Sequence, residues 1–261
     1  HASAARLVER VVGSEAAEVG AAVPCVAGAA SALALAAMAG RWAGGPCEEA
    51  APRQLQRACS DGVGPVPAAR WTPEFALGSL VLTSPPLRRA LHDGIVSEAM
   101  CFDSGVSGVS DDEADVNYAQ QRQLAEVVYA WLHASSHRQK TPFEGDGGVF
   151  LGVEHPDWAV AQPLSVCSTV NGTVYAVTGD DVSAAAAGRL SFAFVLQGSG
   201  CSVDVACTSA LLAMHGGASA VSSGACAAAA ALAASLKLVP RGTVGAALAG
   251  VLSTGGRSKT L

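Results

Sequence analysis

Cys207 is the residue whose type and setting could do chemistry. It follows Cys201-Ser-Val-Asp-Val-Ala206, which alternates as a strand does, and precedes a stretch of helical character from Thr208 to Val221. A cysteine at such a junction stands at a helix N-terminus, where unpaired N–H groups and the helix dipole stabilise a thiolate. The same N–H groups would hold the oxyanion that forms when a thioester is attacked. Thiol exchange is nearly balanced in energy, so such a sulfur can take over an acyl group from another thioester. A cysteine among Ala and Val is otherwise a small core residue, and the junction is what sets Cys207 apart.

No partner for it stands nearby in the chain. Eight residues of helix at 1.5 Å rise carry His215 about 12 Å along the axis, and it reads as a packing residue. Asp111, Asp112, Glu113 and Asp115 read as a solvated helix start, favoured there by the dipole. Arg189 reads as a buried structural arginine tied to neighbouring carbonyls. Gly198 and Gly200 read as the tight turn before the nucleophile strand. Trp131 and Trp158 read as core. Asn171-Gly-Thr173 fits a glycosylation acceptor, which matters only in a secreted protein.

The elements that must position the cysteine follow from pattern. A short helix is expected over 4–12, helical polarity over 47–61, and loop with short elements over 72–103. The clearest helix runs from about Asp111 to Ala134, because Leu124, Val127, Val128, Trp131 and Leu132 share one face. Gly148 to Val153 reads as a buried strand, and a helix capped by Asp181 or Ser183 should reach Leu190. Ala225 to Val239 is expected as a strand despite alanines that favour helix. Strands alternating with helices point to α/β layers.

Composition narrows the class. Of 261 residues, 50% are hydrophobic and 15% charged, a balance that excludes a disordered chain. A net charge of −6 without a basic stripe argues against nucleic acid. The eight cysteines show no C-x-x-C pair and no zinc spacing, so free thiols in a reducing compartment, cytoplasm or plastid, are expected. No bound cofactor and no metal are expected. Val19 to Gly40 lacks charge over 22 residues, yet it is mostly Ala and Gly with Pro24 inside, and is expected to be buried or irregular rather than membrane-spanning.

A set of collinear motifs now adds to this reading. Arg70-Trp71, Phe102-Asp103, Gly108-Val-Ser110, Gln120-Gln-Arg122, Tyr175-Ala-Val-Thr-Gly179, Ala187-Gly-Arg-Leu-Ser191, Leu196-Gln-Gly198, Ser202-Val-Asp-Val-Ala-Cys-Thr-Ser209, Gly250-Val-Leu-Ser253 and Gly256-Arg-Ser-Lys-Thr260 come in one order. That order resembles the N-terminal half of a β-ketoacyl synthase of the modular polyketide or fatty-acid type. The match is strong over 70–261 and weak over 1–69, which divides the chain there. Asn117-Tyr-Ala119 replaces the family's Met-Asp-Pro, and Val106-Ser107 replaces two aromatics.

The resemblance implies a thiolase-like αβαβα fold, of which this chain holds the N-terminal half. It implies that Cys207 accepts an acyl chain from the phosphopantetheine arm of an acyl carrier protein. Two histidines would then drive decarboxylation of a malonyl unit and condensation. None of the six histidines (1, 92, 133, 137, 155, 215) stands in the family's "HGTGT" or "NxGH" context, so those groups are expected outside these residues. Implied partners are the C-terminal half or another protein over the open layer, an acyl carrier protein, and a second copy meeting along Ser202 to Ala206. The alternatives are a catalytically incomplete subunit with a scaffolding role and a transacylase using Cys207 alone.

Overall fold

The computed structural model describes residues 6–12, 33–43, 62–72, 84–107, 114, 117–136, 146–154, 157, 167–170, 173–176 and 182–255. The segment 47–61, the carboxylates of 111–113 and Asp115, Trp158 and Asn171 lie outside them. A five-stranded mixed sheet forms the frame. Strand β1 (Arg6–Val12) pairs antiparallel with β2 (Ala34–Ala39) on one side and with β9 (Ala228–Ala234) on the other. Strand β5 (Gly147–Val153) lies parallel to β9 and to β8 (Gly200–Val203), giving the order β2-β1-β9-β5-β8. Two small antiparallel pairs stand apart: β3 (Val63–Pro65) with β4 (His92–Gly94), and β6 (Cys167–Val170) with β7 (Thr173–Ala176).

The period of two along β5 decides what each helix meets. Val149, Leu151 and Val153 face a core shared with Ala230, Leu232 and Ala234 of β9. Over that face lie α3 (Ala119–Ser136), with Leu124, Val127, Val128 and the fully buried Trp131, and α4 (Val182–Ala193), with Ala186, Ala187 and Leu190. The opposite face presents Gly148, Phe150 and Gly152 to α5 (Ser209–Ser222). Phe150 packs with Ala213 and Ala229, and Gly216 makes room for it, since a Cβ there would lie 2.9 Å from its ring. With both faces covered, β5 reads as a continuous apolar run, as buried parallel strands do.

The short helices α1 (Pro85–Arg88) and α2 (Ser104–Ser107) fall in the expected loop-rich region, and α6 (Pro240–Leu248) follows β9. Several sequence expectations are corrected here. Residues 6–12 form a strand, not a helix, because β2 and β9 claim their backbone groups from both sides. Residues 34–39 of the uncharged segment are also a strand, and no helix among the described residues is long and apolar enough to cross a membrane. Helix α3 starts at Ala119 after a break at Asn117 and Tyr118, with no acidic residue in its first turn. Strand β9 stops at Ala234, and Pro240 opens α6 at the position where a missing N–H costs nothing.

Candidate active site

The turn from β8 to α5 is built residue by residue. After β8 ends at Val203, the chain makes a 3-10 turn over Ala206–Thr208 before α5 begins. Ala206 sits at φ 53°, in the left-handed region that costs an alanine strain. The turn is stitched to hold that shape. The Ser209 hydroxyl accepts from Val205 N–H (2.9 Å) and donates to the Ala206 carbonyl (2.8 Å). The Thr208 hydroxyl donates to the Val205 carbonyl (3.0 Å), and the Asp204 carboxylate accepts from Ala206 N–H (3.1 Å). Cys207 stands at the middle of this turn, exposed. The expected junction is therefore present, with the cysteine one turn ahead of α5.

Gly152 fixes where that turn lies. A Cβ on Gly152 would stand 2.5 Å from the Ser209 carbonyl group, so only glycine lets α5 start directly above the end of β5. Gly198 and Gly200 work the same way and not as the expected turn formers. Neither has positive φ, and a Cβ on either would stand 2.7 Å from the β5 backbone, at Gly147 or Val149.

Cys207 opens on a cavity of about 540 Å³ at the C-terminal ends of β5 and β9. Its wall near the cysteine is apolar, from Ala206, Ala210 and Ala246. Its other wall is polar. Glu154, directly after β5, takes hydrogen bonds from both Ser235 and Lys237, which follow β9. Burial alone would push the Glu154 carboxyl up, but those two side-chain bonds together with the Lys237 charge hold it below the usual range. Asp157, near Lys237 but not lining the cavity, goes the other way: burial raises it, although its carboxylate accepts from the N–H groups of Leu238 (2.8 Å) and Val239 (2.9 Å). Arg89, His92 and Asp93 complete this wall.

The motifs singled out in the sequence find roles around this opening. Gln120 donates to the carbonyls of Glu154 (3.3 Å) and Leu236 (3.4 Å), tying together the two chain segments that leave β5 and β9. Buried Gln123 holds the Glu98 and Cys101 carbonyls and accepts from Arg41. Arg70 donates to the Val96 carbonyl (3.2 Å), and its burial lowers its pKa against the pull of Asp157 and Asp93. Arg189 is exposed rather than buried, and its hydrogen-bond partners among the described residues are the side-chain oxygens of Asn117 (2.8 Å) and Gln121 (3.2 Å).

Not all expectations meet at the cysteine. His215 is exposed on α5 rather than packed, on the same helix as exposed Leu211 and Leu212. Cys101 and Cys201 are free and exposed, and Cys226 is free and buried. Among the described residues no group of three His, Cys, Asp or Glu could hold a metal. The Glu154–Lys237 pair went unread in the sequence. Its members stand 83 positions apart, and only the parallel pairing of β5 with β9 brings them together.

Comparison with known proteins agrees with this geometry. Residues 30–261 match the family described as Beta-ketoacyl synthase, N-terminal domain. The polyketide synthase GfsB of Streptomyces halstedii is 30% identical over 220 residues, covering 81% of this chain and 4% of that protein. The highly reducing polyketide synthase fogA of Aspergillus ruber is 31% identical over 159 residues, covering 61% of this chain and 6% of that protein. Among solved structures, the oxazolomycin ketosynthase domain OzmH KS7 of Streptomyces albus superposes with a TM-score of 0.65 at 25% identity, over 84% of this chain and 37% of that one. The ketosynthase from module 6 of the bacillaene synthase of Bacillus subtilis shares the fold with a TM-score of 0.62 at 19% identity, over 97% of this chain and 36% of that one. The chain thus spans a small part of its curated relatives and about a third of the solved ketosynthase chains.

Proposed function

The chain belongs to the β-ketoacyl synthase family, with the layers of the thiolase-like fold, and from that premise we propose that it supplies the acyl-accepting half of a ketosynthase that lengthens polyketide or fatty-acyl chains. Cys207 is the acceptor. One observation carries this reading: Cys207 is exposed in a strained turn at the head of α5, open to a cavity large enough for an acyl chain.

The chemistry follows from that placement. The Cys207 thiolate attacks the thioester carbonyl of an acyl group carried on the phosphopantetheine arm of an acyl carrier protein. The positive end of the α5 dipole, just beyond Cys207, favours the oxygen that gains negative charge. The tetrahedral adduct collapses, the bond to the pantetheine sulfur breaks, and that sulfur leaves as a thiolate that takes a proton from solvent. The acyl group is now a thioester on Cys207. In the second half-reaction a malonyl unit loses carbon dioxide, its carbanion attacks the Cys207 thioester, and the chain leaves two carbons longer. The decarboxylating histidines belong to the second half of the fold, for which exposed Leu211 (67% accessible) and Leu212 on α5 offer an apolar face.

The proposed second copy meets this one at β8. Among the described strands it ends the sheet and pairs with β5 alone, with Gly200 and Cys201 exposed, and such an edge invites another strand. The free thiols of Cys101, Cys201, Cys207 and Cys226 fit a reducing compartment.

Incubation of the natural polypeptide with an acyl-pantetheine thioester, followed by proteolysis and mass spectrometry, tests the acceptor. The acyl mass should appear on the peptide holding Cys207 and vanish in Cys207→Ala. An adduct confined to other cysteines, or none, would sink the proposal.

A further inference from the structure

We infer that Lys237, held by Glu154, sets the acyl preference of the cavity, favouring chains that bear an uncharged oxygen, hydroxyl or keto, over saturated chains of equal length. This rests on Cys207 as acceptor and goes beyond it by naming the substrate class.

The placement comes from the sheet. Glu154 follows β5 and Lys237 lies three residues beyond the end of β9, at the C-terminal edge where open parallel sheets bind ligands. Gly152 touches the start of α5, and Glu154 is two strand residues further, about 7 Å along the chain. Both side chains line the cavity into which Cys207 opens. An acyl group on that sulfur therefore grows along a wall that holds an ion pair.

The pair has spare capacity of one kind. Both Glu154 oxygens are engaged, one by Lys237 and one by Ser235, which fixes the carboxylate against the wall. An ammonium carries three donors, and Glu154 is the one hydrogen-bond partner of Lys237 among the described residues, with the Asp157 charge nearby. Its remaining N–H groups need other acceptors. A saturated chain packed against them would keep solvent out and leave charged donors unmet, which is costly in a partly buried site. A hydroxyl or keto oxygen would accept from them. The wall as a whole gives no reason to expect an acid: Arg89 and Lys237 are met by Asp93 and Glu154, and Asp157 adds a further negative charge near Lys237. A free carboxylate on the chain gains no net attraction from such a set, so the oxygen expected is uncharged.

N-acetylcysteamine thioesters of hexanoate, 3-hydroxyhexanoate and 5-oxohexanoate test this on the natural polypeptide, with Cys207 acylation timed by mass spectrometry. At least one oxygenated chain should load about tenfold faster than hexanoate, the scale of a hydrogen bond to a charged group. Lys237→Met should bring that ratio to about one, and Lys237→Arg, which keeps donors at that place, should retain a preference. A merely structural ion pair would leave the ratio where it was. Equal loading in the natural protein, or a ratio unmoved by Lys237→Met, overturns the inference while leaving Cys207 as acceptor. No adduct from any of the three overturns both. Should Lys237→Met fail to fold, seen as loss of Cys226 protection from alkylation, the ratios of the natural protein and of Lys237→Arg decide.

Discussion

The two ends of α5 each hold a cysteine in reach of β5, and they have opposite fates. Cys207 stands before the helix, exposed, on a turn strained at Ala206 and facing a cavity. Cys226 stands just after it, buried against Phe150 and Ala229, with its thiol pushed up first by burial and further by nearby Asp146, against the hydrogen bond of Ser199. The same helix and the same strand thus present one sulfur to a cavity and seal another in the core. Thiol content says nothing of reactivity here; position relative to the helix ends decides it.

The largest expected contrast is chemical. Iodoacetamide at neutral pH should modify Cys207 at least about a hundredfold faster than Cys226, whose attack requires the thiolate and access together. Peptide mapping over time gives both rates. The sign of the pH effect is fixed: raising pH toward the elevated Cys226 value increases its thiolate, yet burial still blocks it until denaturant is added. Comparable rates at the two sites in the folded protein would break the comparison. Exposed Cys101 and Cys201 serve as internal references for an accessible thiol without the turn.

A second test separates the ends through the glycines beneath them. At Gly152 an added Cβ meets the Ser209 carbonyl group at 2.5 Å; at Gly148 it meets the Ser199 carbonyl oxygen at 2.7 Å and the Cys226 sulfur at 3.1 Å. Both contacts involve backbone that cannot swing aside, so Gly152→Ala and Gly148→Ala should each cost about 1–3 kcal/mol in urea titration. Only Gly152→Ala should also slow acylation of Cys207, because it lifts the turn that carries the sulfur. Equal loss of loading in both variants would mean that the whole strand, not its end, sets the site.

How much of this was legible in the chain differs by region for a physical reason. The strand, turn and helix around Cys207 could be read because their signals are local: alternation before, helical run after, cysteine between. Strand β5 could be read because burial on both faces makes an unbroken apolar run. Strand β1 could not, because its conformation is imposed by neighbours drawn from residues 34–39 and 228–234. Its own residues favour neither state strongly. Strand β9 is nearly all alanine, a helix former that the sheet overrides where only a small side chain fits between two layers. Helix α6 left a usable signal in Pro240, which the run of apolar residues before it hid. The polar wall of the cavity left none, since no local pattern joins Glu154 to Lys237.

The smallest expected effect concerns the strain at the active end, which the buried end lacks. Ala206 holds φ 53° without the freedom of glycine, whereas the chain leaves α5 at its other end through Gly224 at φ 74°, where glycine adopts that geometry at no steric cost. Ala206→Gly relieves the strained conformation, offset in part by the greater freedom of glycine in the unfolded chain. The net should be a gain of about 0.5–1 kcal/mol, read as a rise in the urea midpoint at unchanged slope. Loading of Cys207 should fall in the same variant, because a turn free to relax no longer holds the sulfur toward the cavity. A stability gain with loading unchanged would show that the hydrogen bonds of Ser209, Thr208 and Asp204 hold the sulfur by themselves. A stability loss would instead mean that the alanine methyl packs usefully, and that the contrast between the two helix ends lies in burial alone.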